Sequence, residues 1–337
     1  MNAPAPLLAV RRLKVHYPLR SWIPWRSGGV VRAVDGVDLN LYPGETLAVV
    51  GESGSGKSSL ARVLAGLQPV TSGAIEYRSA DGTLNDLARL DRKAWRPHRR
   101  EIQLIFQDPQ ASLNPRMKVG KAVAEPLKAL YPELSKAERE SRALAMLERV
   151  GISADLAQRL PHELSGGQCQ RVGIARALVV RPRVLICDEP VSALDVSVQA
   201  QIINLLMELQ AEYGLAMIFI AHDLAVVRHL SQRLLVMYLG RIMEQAETPM
   251  LFRHAVHPYT RALLAAMPAD DLAQEIDRSA TLLDGEVPSP QSPPPGCVFV
   301  TRCPMADQAC NRSVPTLRRV SHGGHAACHF VGLATPV

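Results

Sequence analysis

The 337-residue chain contains no apolar run approaching the roughly 20 residues that a membrane-spanning helix needs. Its opening stretch, residues 1–10, is apolar but short, and positive charges follow it instead of preceding it, so it does not read as a secretory leader. Aromatic residues make up only 4% of the sequence, and Lys and Arg are spread along it without clustering. That combination argues against a base-stacking nucleic-acid surface. The formal net charge of +6 is mild and reads as a solvated surface, with contact to an anionic membrane face as the alternative. Together these absences predict a cytoplasmic protein whose membrane role, if any, is borrowed from partners. Cysteine is scarce too: there are six, and four of them (Cys297, Cys303, Cys310 and Cys328) lie beyond residue 296. In a reducing compartment such a cluster argues for a metal before disulfides.

What is present is ordinary globular material, 47% hydrophobic and 21% charged, with a length suited to one large domain and an appendage. Short alternating or apolar stretches at residues 7–17, 34–41, 46–50, 102–106, 184–187 and 217–221 read as strands, and residues 58–66 have helical spacing. Residues 18–30, with Trp22 and Trp25, read as a loop or splayed hairpin. Strands alternating with helices predict an α/β fold with a mostly parallel, doubly wound sheet. Polar, helix-prone sequence over 118–180 predicts a helical insertion. The division expected is a core of residues 1–108 and 181–249, a helical subdomain of 109–180, and an extension of 250–337. Within the extension, residues 288–296 hold five prolines and read as an extended tether.

Gly51-Glu52-Ser53-Gly54-Ser55-Gly56-Lys57-Ser58 fits G-x-x-x-x-G-K-[ST] and sits between a predicted strand and a predicted helix. The glycines permit a loop whose N–H groups wrap phosphates. Lys57 supplies charge to the β- and γ-phosphates, and the Ser58 hydroxyl can ligate Mg²⁺. Residues 184–189 form a buried strand ending in Asp188 and Glu189. Neighbouring side chains on a strand point to opposite faces, so the two acids can serve different roles. Asp188 suits Mg²⁺, and Glu189 suits polarising an attacking water. A second anion-binding helix start occurs at Leu164-Ser165-Gly166-Gly167-Gln168, more than a hundred residues downstream. Two such sites far apart in sequence suggest that two molecules meet around one nucleotide.

The ordered set of phosphate loop, Gln107, residues 164–168, Asp188-Glu189, Ser192-Ala193-Leu194-Asp195 and His222 resembles the ATPase subunit of ATP-binding-cassette transporters over about residues 7–245. The resemblance implies a P-loop (RecA-like) core with an antiparallel β edge, ATP and Mg²⁺ as ligands, and a head-to-tail dimer. It implies that Gly51, Ser53, Gly54, Ser55, Gly56, Lys57, Ser58 and Ser59 cradle the phosphates, and that Tyr17, 34 residues before Gly51, stacks on adenine. Mg²⁺ would lie with Ser58, Gln107 and Asp188. Glu189, His222, Gln107 and Asp188 would be the catalytic set. Ser165, Gly166, Gly167, Gln168 and Asp195 would reach the partner's nucleotide. Cys169, where relatives often carry Arg or Gln, reads as neutral.

Finer wording points to the dipeptide and oligopeptide import branch of bacteria: Phe106-Gln107-Asp108-Pro109, Ser112-Leu113-Asn114-Pro115, Glu189-Pro190-Val191-Ser192 and His257-Pro258-Tyr259-Thr260. Gln103-Leu104-Ile105-Phe106 and Pro190-Val191-Ser192 resemble the second of its two ATPase subunits. The implied partners are a similar but different ATPase subunit, two transmembrane permease subunits and, indirectly, an external substrate-binding protein, with no nucleic acid. The implied location is peripheral, on the cytoplasmic face of the inner membrane. Other cargoes for the same machinery are nickel chelates, glutathione or cell-wall peptides. A soluble cassette ATPase acting on nucleic acid or ribosomes is the alternative of another class. In this branch, the pattern Cys297-x5-Cys303-x6-Cys310-x17-Cys328 implies a small Cys-rich extension holding a [4Fe–4S] cluster. Four thiolates also suit Zn²⁺, with His322, His325 and His329 as substitute ligands, and free structural thiols are a third reading.

Overall fold

The computed structural model describes residues 5–19, 29–267, 285–321 and 323–331. The chain opens with β1 (Leu8–Pro18) and β2 (Val30–Leu41), which pair antiparallel, and the segment carrying Trp22 and Trp25 lies outside the described residues. β3 (Thr46–Val50) is buried along its whole length and runs into the phosphate loop, followed by α1 (Lys57–Leu64). β4 (Ser72–Arg78), β5 (Leu84–Asp86), the one-turn α2 (His98–Glu101) and β6 (Ile102–Ile105) follow. The helical stretch comprises α3 (Val119–Leu130), α4 (Lys136–Arg149), α5 (Ala154–Ala157) and α6 (Gly166–Leu178). The core resumes with β7 (Val184–Asp188), α7 (Val196–Tyr213), β8 (Ala216–Ile220), α8 (Leu224–Leu230), β9 (Arg233–Tyr238) and β10 (Arg241–Glu247). Beyond it come α9 (Thr248–His254), α10 (Pro258–Ala265), α11 (Gln308–Arg312), β11 (Arg318–Arg319) and β12 (His325–Ala326).

Two sheets result. Strands β2-β1-β4-β5 form an antiparallel sheet, and β11-β12-β10-β9-β3-β8-β7-β6 form a mixed one whose β9-β3-β8-β7-β6 part is parallel. The central strands β3, β7 and β8 are buried at every position and almost wholly apolar because both faces are covered. Their alternation divides the core: Ala48, Val50, Leu185 and Cys187 pack on one side with the helical subdomain, while Leu47, Val49, Val184 and Ile186 pack on the other with α1 and the antiparallel sheet. The phosphate loop leaves the C-terminal end of β3, and Asp188 ends the strand two places away. In open α/β sheets this is the edge where ligands bind.

The extension departs from its sequence reading. The proline stretch is not a free tether: the Arg32 N–H donates to the Pro290 carbonyl at 3.2 Å, and Pro290–Pro295 lie against Arg32, Leu239 and Arg241. The following segment then adds β12 to the edge of β10, pairing Ala326 with Glu244. The extension is therefore hydrogen-bonded into the main sheet.

Candidate functional site

The phosphate loop is built from the inside outwards. Gly51 and Gly56 both adopt positive φ, at 151° and 102°. A Cβ at Gly51 would overlap the Met237 carbonyl oxygen, and one at Gly56 would overlap that of Ala33, so only glycine fits this close backbone approach. Within the loop the Lys57 ammonium donates to the carbonyls of Gly51 at 2.7 Å and Glu52 at 3.0 Å. Burial pushes the Lys57 pKa down, opposed by the carboxylates of Glu189, Asp188 and Glu52.

Above the loop lies an open cavity of about 510 Å³. Its wall includes Ser53, Gly54, Gly56, Lys57, Ser58 and Ser59 from the loop and α1, together with Tyr17, Gln107, Glu189 and His222. Nine of the residues read from sequence as one nucleotide site thus line one space with Tyr17. Gly51 and Ser55 do not line it. Ser55 is buried at 2% exposure, and its carbonyl instead accepts the Gly240 N–H at 2.9 Å. Those two positions support the loop from below. The Tyr17 hydroxyl donates to Gln68, which fixes the ring at the cavity edge.

At the chemical end, the Ser58 hydroxyl donates to Asp188 at 2.9 Å. Burial pushes the Asp188 carboxyl pKa up, partly offset by that hydrogen bond, so its charge is costly unless a cation is present. Glu189 follows with φ of 46°, a left-handed conformation uncommon outside glycine. This turn carries its carboxylate to the cavity, where the Gln107 side-chain amide donates to it at 3.2 Å and His222 Nδ1 lies 3.5 Å away. A carboxylate, an amide and an imidazole thus converge beside the loop. The arrangement can hold a nucleoside triphosphate with a divalent cation and orient a water for in-line attack.

The second anion site is elsewhere. Ser165 caps α6, with its hydroxyl accepting the Gln168 N–H at 3.3 Å and Gln168 Oε1 accepting the Ser165 N–H at 2.9 Å. This capping box already uses two of the donors that an unpaired helix start would present. The sequence reading of freely projecting N–H groups is thereby narrowed to Gly166 and Gly167, with the Ser165 hydroxyl proton available as well. Gly166 packs on Leu194, and a Cβ at Gly167 would come within 2.6 Å of Val198. Asp195 caps the neighbouring α7, accepting from Val198 N–H at 2.9 Å and the Ser197 hydroxyl at 2.7 Å. Ser165 to Gln168 and Asp195 therefore share one surface, and none of them lines the cavity. Cys169 is fully buried, with its thiol directed to the Pro161 carbonyl.

The four cysteines of the extension gather loosely. Cys297 N–H donates to the Cys310 carbonyl at 2.7 Å, and burial raises all four thiol pKa values, that of Cys303 to about 11. Among the described residues, no three His, Cys, Asp or Glu side chains meet as a set able to hold a metal ion. The donors as arranged do not fit the expected [4Fe–4S] cluster, nor a zinc site; His322 lies outside the described residues. The segment as described is organised by strand pairing of β12 with β10 and by apolar packing around Cys297 and Cys310.

Sequence reasoning missed three contributors from the extension. Pro290 lines the cavity opposite the loop. Tyr259 and Arg302 bond to Glu52 of the loop itself, at 2.9 and 2.7 Å. Contacts over such sequence separations leave no local pattern.

Comparison with known proteins gives a consistent picture. The family pattern described as ABC transporter matches residues 34–192, and that described as the C-terminal region of oligopeptide/dipeptide transporters matches residues 243–310. The oligopeptide transport ATP-binding protein OppF of Salmonella typhimurium is 51% identical over 314 residues, covering 92% of each chain. AppF of Bacillus subtilis, also named an oligopeptide transport ATP-binding protein, is 45% identical over 96% of this chain and 97% of its own. Among solved structures, a dimeric ATP-binding cassette in a post-hydrolysis state with ADP and Pi superposes with a TM-score of 0.62 at 29% identity, covering 72% of this chain and 98% of that one.

Proposed function

The chain belongs to the ATPase subunits of ABC transporters, and from that premise we propose that it hydrolyses ATP to drive import of oligopeptides. The observation that carries the reading is the convergence of Lys57, Ser58, Gln107, Glu189 and His222 on one cavity, with Asp188 bonded to Ser58. In this reading the loop N–H groups and Lys57 bind the phosphates, and Tyr17 with Pro290 flanks the base. Mg²⁺, when bound with ATP, neutralises charge on the β- and γ-phosphate oxygens, and Ser58, Asp188 and Gln107 would hold it. Glu189 orients the attacking water and accepts its proton as the bond to the γ-phosphorus forms and that to the ADP oxygen breaks. His222 steadies the γ-phosphate. ATP and water give ADP and phosphate, with no covalent enzyme intermediate.

Ser165, Gly166, Gly167, Gln168 and Asp195 complete the site of a second ATPase subunit, and we assign that subunit to a similar, non-identical chain. Two permease subunits and an external peptide-binding protein follow from importer membership, as does a peripheral position on the cytoplasmic face of the membrane. No helix among the described residues is long and apolar enough to cross a membrane, in keeping with a subunit that acts through permeases. For the tail, only the resemblance of its cysteine pattern to the importer branch supports a [4Fe–4S] cluster, against the arrangement of the described donors. Absorbance near 400 nm after anaerobic purification supports it, and colourless protein, with or without zinc, overturns it.

The test is the assembled complex in proteoliposomes. Glu189→Gln is expected to bind ATP but lose hydrolysis by at least about 100-fold, with labelled-peptide uptake lost in parallel. Undiminished ATPase would overturn the role given to Glu189. ATPase without peptide uptake by the unmodified complex would redirect the cargo to nickel chelates, glutathione or cell-wall peptides.

A further inference from the structure

A carboxylate on a phosphate-binding loop is an electrostatic liability, because it faces the same charges that the ligand carries. Glu52 is such a residue, the second of the loop, and every polar group it has is engaged. Its carbonyl accepts from Lys57 at 3.0 Å and from the Ser55 N–H at 3.2 Å, which faces it inwards. Its N–H donates to the Tyr259 hydroxyl at 2.9 Å, and its carboxylate receives the Arg302 guanidinium at 2.7 Å. Both outward partners belong to the extension, 207 and 250 residues downstream.

These partners are themselves held. Arg302 is 8% exposed and stands over the Tyr238 ring, 5.9 Å from its centroid. Tyr238, Tyr259 and Phe299 form a fully buried aromatic group, with ring centroids 4.8 to 5.3 Å apart. Packing of that kind fixes the guanidinium and the phenol hydroxyl before any ligand arrives. The ion pair is half-sheltered, so water screens it only in part.

We propose that Tyr259 and Arg302 are positioning residues for nucleotide binding, through which the C-terminal extension neutralises Glu52 and sets the phosphate loop. This rests on the reading of residues 51–58 as an ATP cradle. Without Arg302, the Glu52 charge stands uncompensated on the phosphate loop, within electrostatic reach of Lys57, and the carbonyl that anchors Lys57 loses its brace. The loss is electrostatic in sign, so it is greater for ATP than for the less charged ADP.

The test titrates the full-length chain with Mg-ATP and Mg-ADP, and measures ATPase in the assembled complex. Arg302→Met is expected to weaken ATP binding about tenfold, and ADP binding by less, with KM raised more than kcat is lowered. Adding Glu52→Gln to that variant removes the unpaired charge and should return ATP affinity to within about twofold of the unmodified chain. Tyr259→Phe should weaken binding about threefold, the cost of one hydrogen bond to the loop. ATP affinity unchanged in Arg302→Met overturns the inference, as does a loss that Glu52→Gln fails to relieve, since a merely structural defect would persist. An unmodified chain that binds no ATP overturns the cradle reading and this inference with it, a different result from either.

Discussion

The chain carries two helix starts read as anion sites, one before α1 and one before α6, and they are made in opposite ways. At the loop before α1, Ser55 and Lys57 are almost completely buried, at 2% and 5% exposure, and glycines allow backbone from β9 and β2 to press against the turn. The ligand groups there are set by tertiary packing. At α6, Ser165 is exposed and its order comes from a capping box closed within four residues. Burial gives the first a strong field and perturbed pKa values. Local bonding gives the second a fixed shape with its remaining donors turned outwards. On the proposed function, the half-site that must hold ligand unaided is built deep, and the half-site assigned to a partner's ligand is built shallow and rigid.

Changes in each half separate the two. Lys57→Ala should cause the largest loss, removing ATP binding by the chain on its own and lowering complex ATPase by at least about 100-fold. Gly167→Val drives a side chain into Val198, so it should cut ATPase of the complex about tenfold or more while the single chain still binds ATP normally. Loss of single-chain binding in that variant would break the contrast, because the shallow half would then support the deep one.

A pH effect is expected from the extension that braces the deep half. Burial holds His257 neutral, with its pKa lowered to about 4 from 6.5, and a hydrogen bond to the Ala327 backbone ties it to the residue after β12. Between these values the unfolded chain takes up a proton that the folded chain refuses, so stability is lost as pH falls from about 6.5 towards 4, by at most about 3 kcal/mol. His257→Asn retains an acceptor for the Tyr259 N–H and should flatten that slope, as read from urea midpoints at pH 7 and pH 4.5. An unchanged slope would remove His257 from the account. The smallest effect is expected from Ser165→Ala, where loss of the cap costs about 1 kcal/mol of helix stability. ATPase of the complex should fall a fewfold, with ATP binding by the single chain unaltered.

Legibility in the sequence followed contiguity. The phosphate loop could be read because its eight residues are consecutive and its flanking β3 is apolar from Leu47 to Val50; β7 with Asp188 and Glu189 was legible for the same reason. Gln107 and His222 were placed through the order of motifs, and both reach the Glu189 carboxylate. The capping box at Ser165 was visible as Ser-x-x-Gln, yet the sequence reading counted its donors as free. The extension was misread most. Five prolines suggest an extended tether, and a chain that is already extended can bond to β2 through Pro290 with little further loss of entropy. Four cysteines suggest a metal, while among the described residues no three ligand side chains meet as a metal-holding set. The bonds of Tyr259 and Arg302 to Glu52 are set by tertiary folding and have no sequence period at all.

The same long-range bonds impose an order on the birth of the subunit. Glu52 leaves the ribosome well before Tyr259 and Arg302, on the order of tens of seconds earlier at ordinary rates of synthesis. During that interval β3, the loop and α1 exist without the groups that neutralise and brace them. A partly made chain is thus a poor competitor for cellular ATP, and nucleotide competence arrives with the last quarter of the polypeptide.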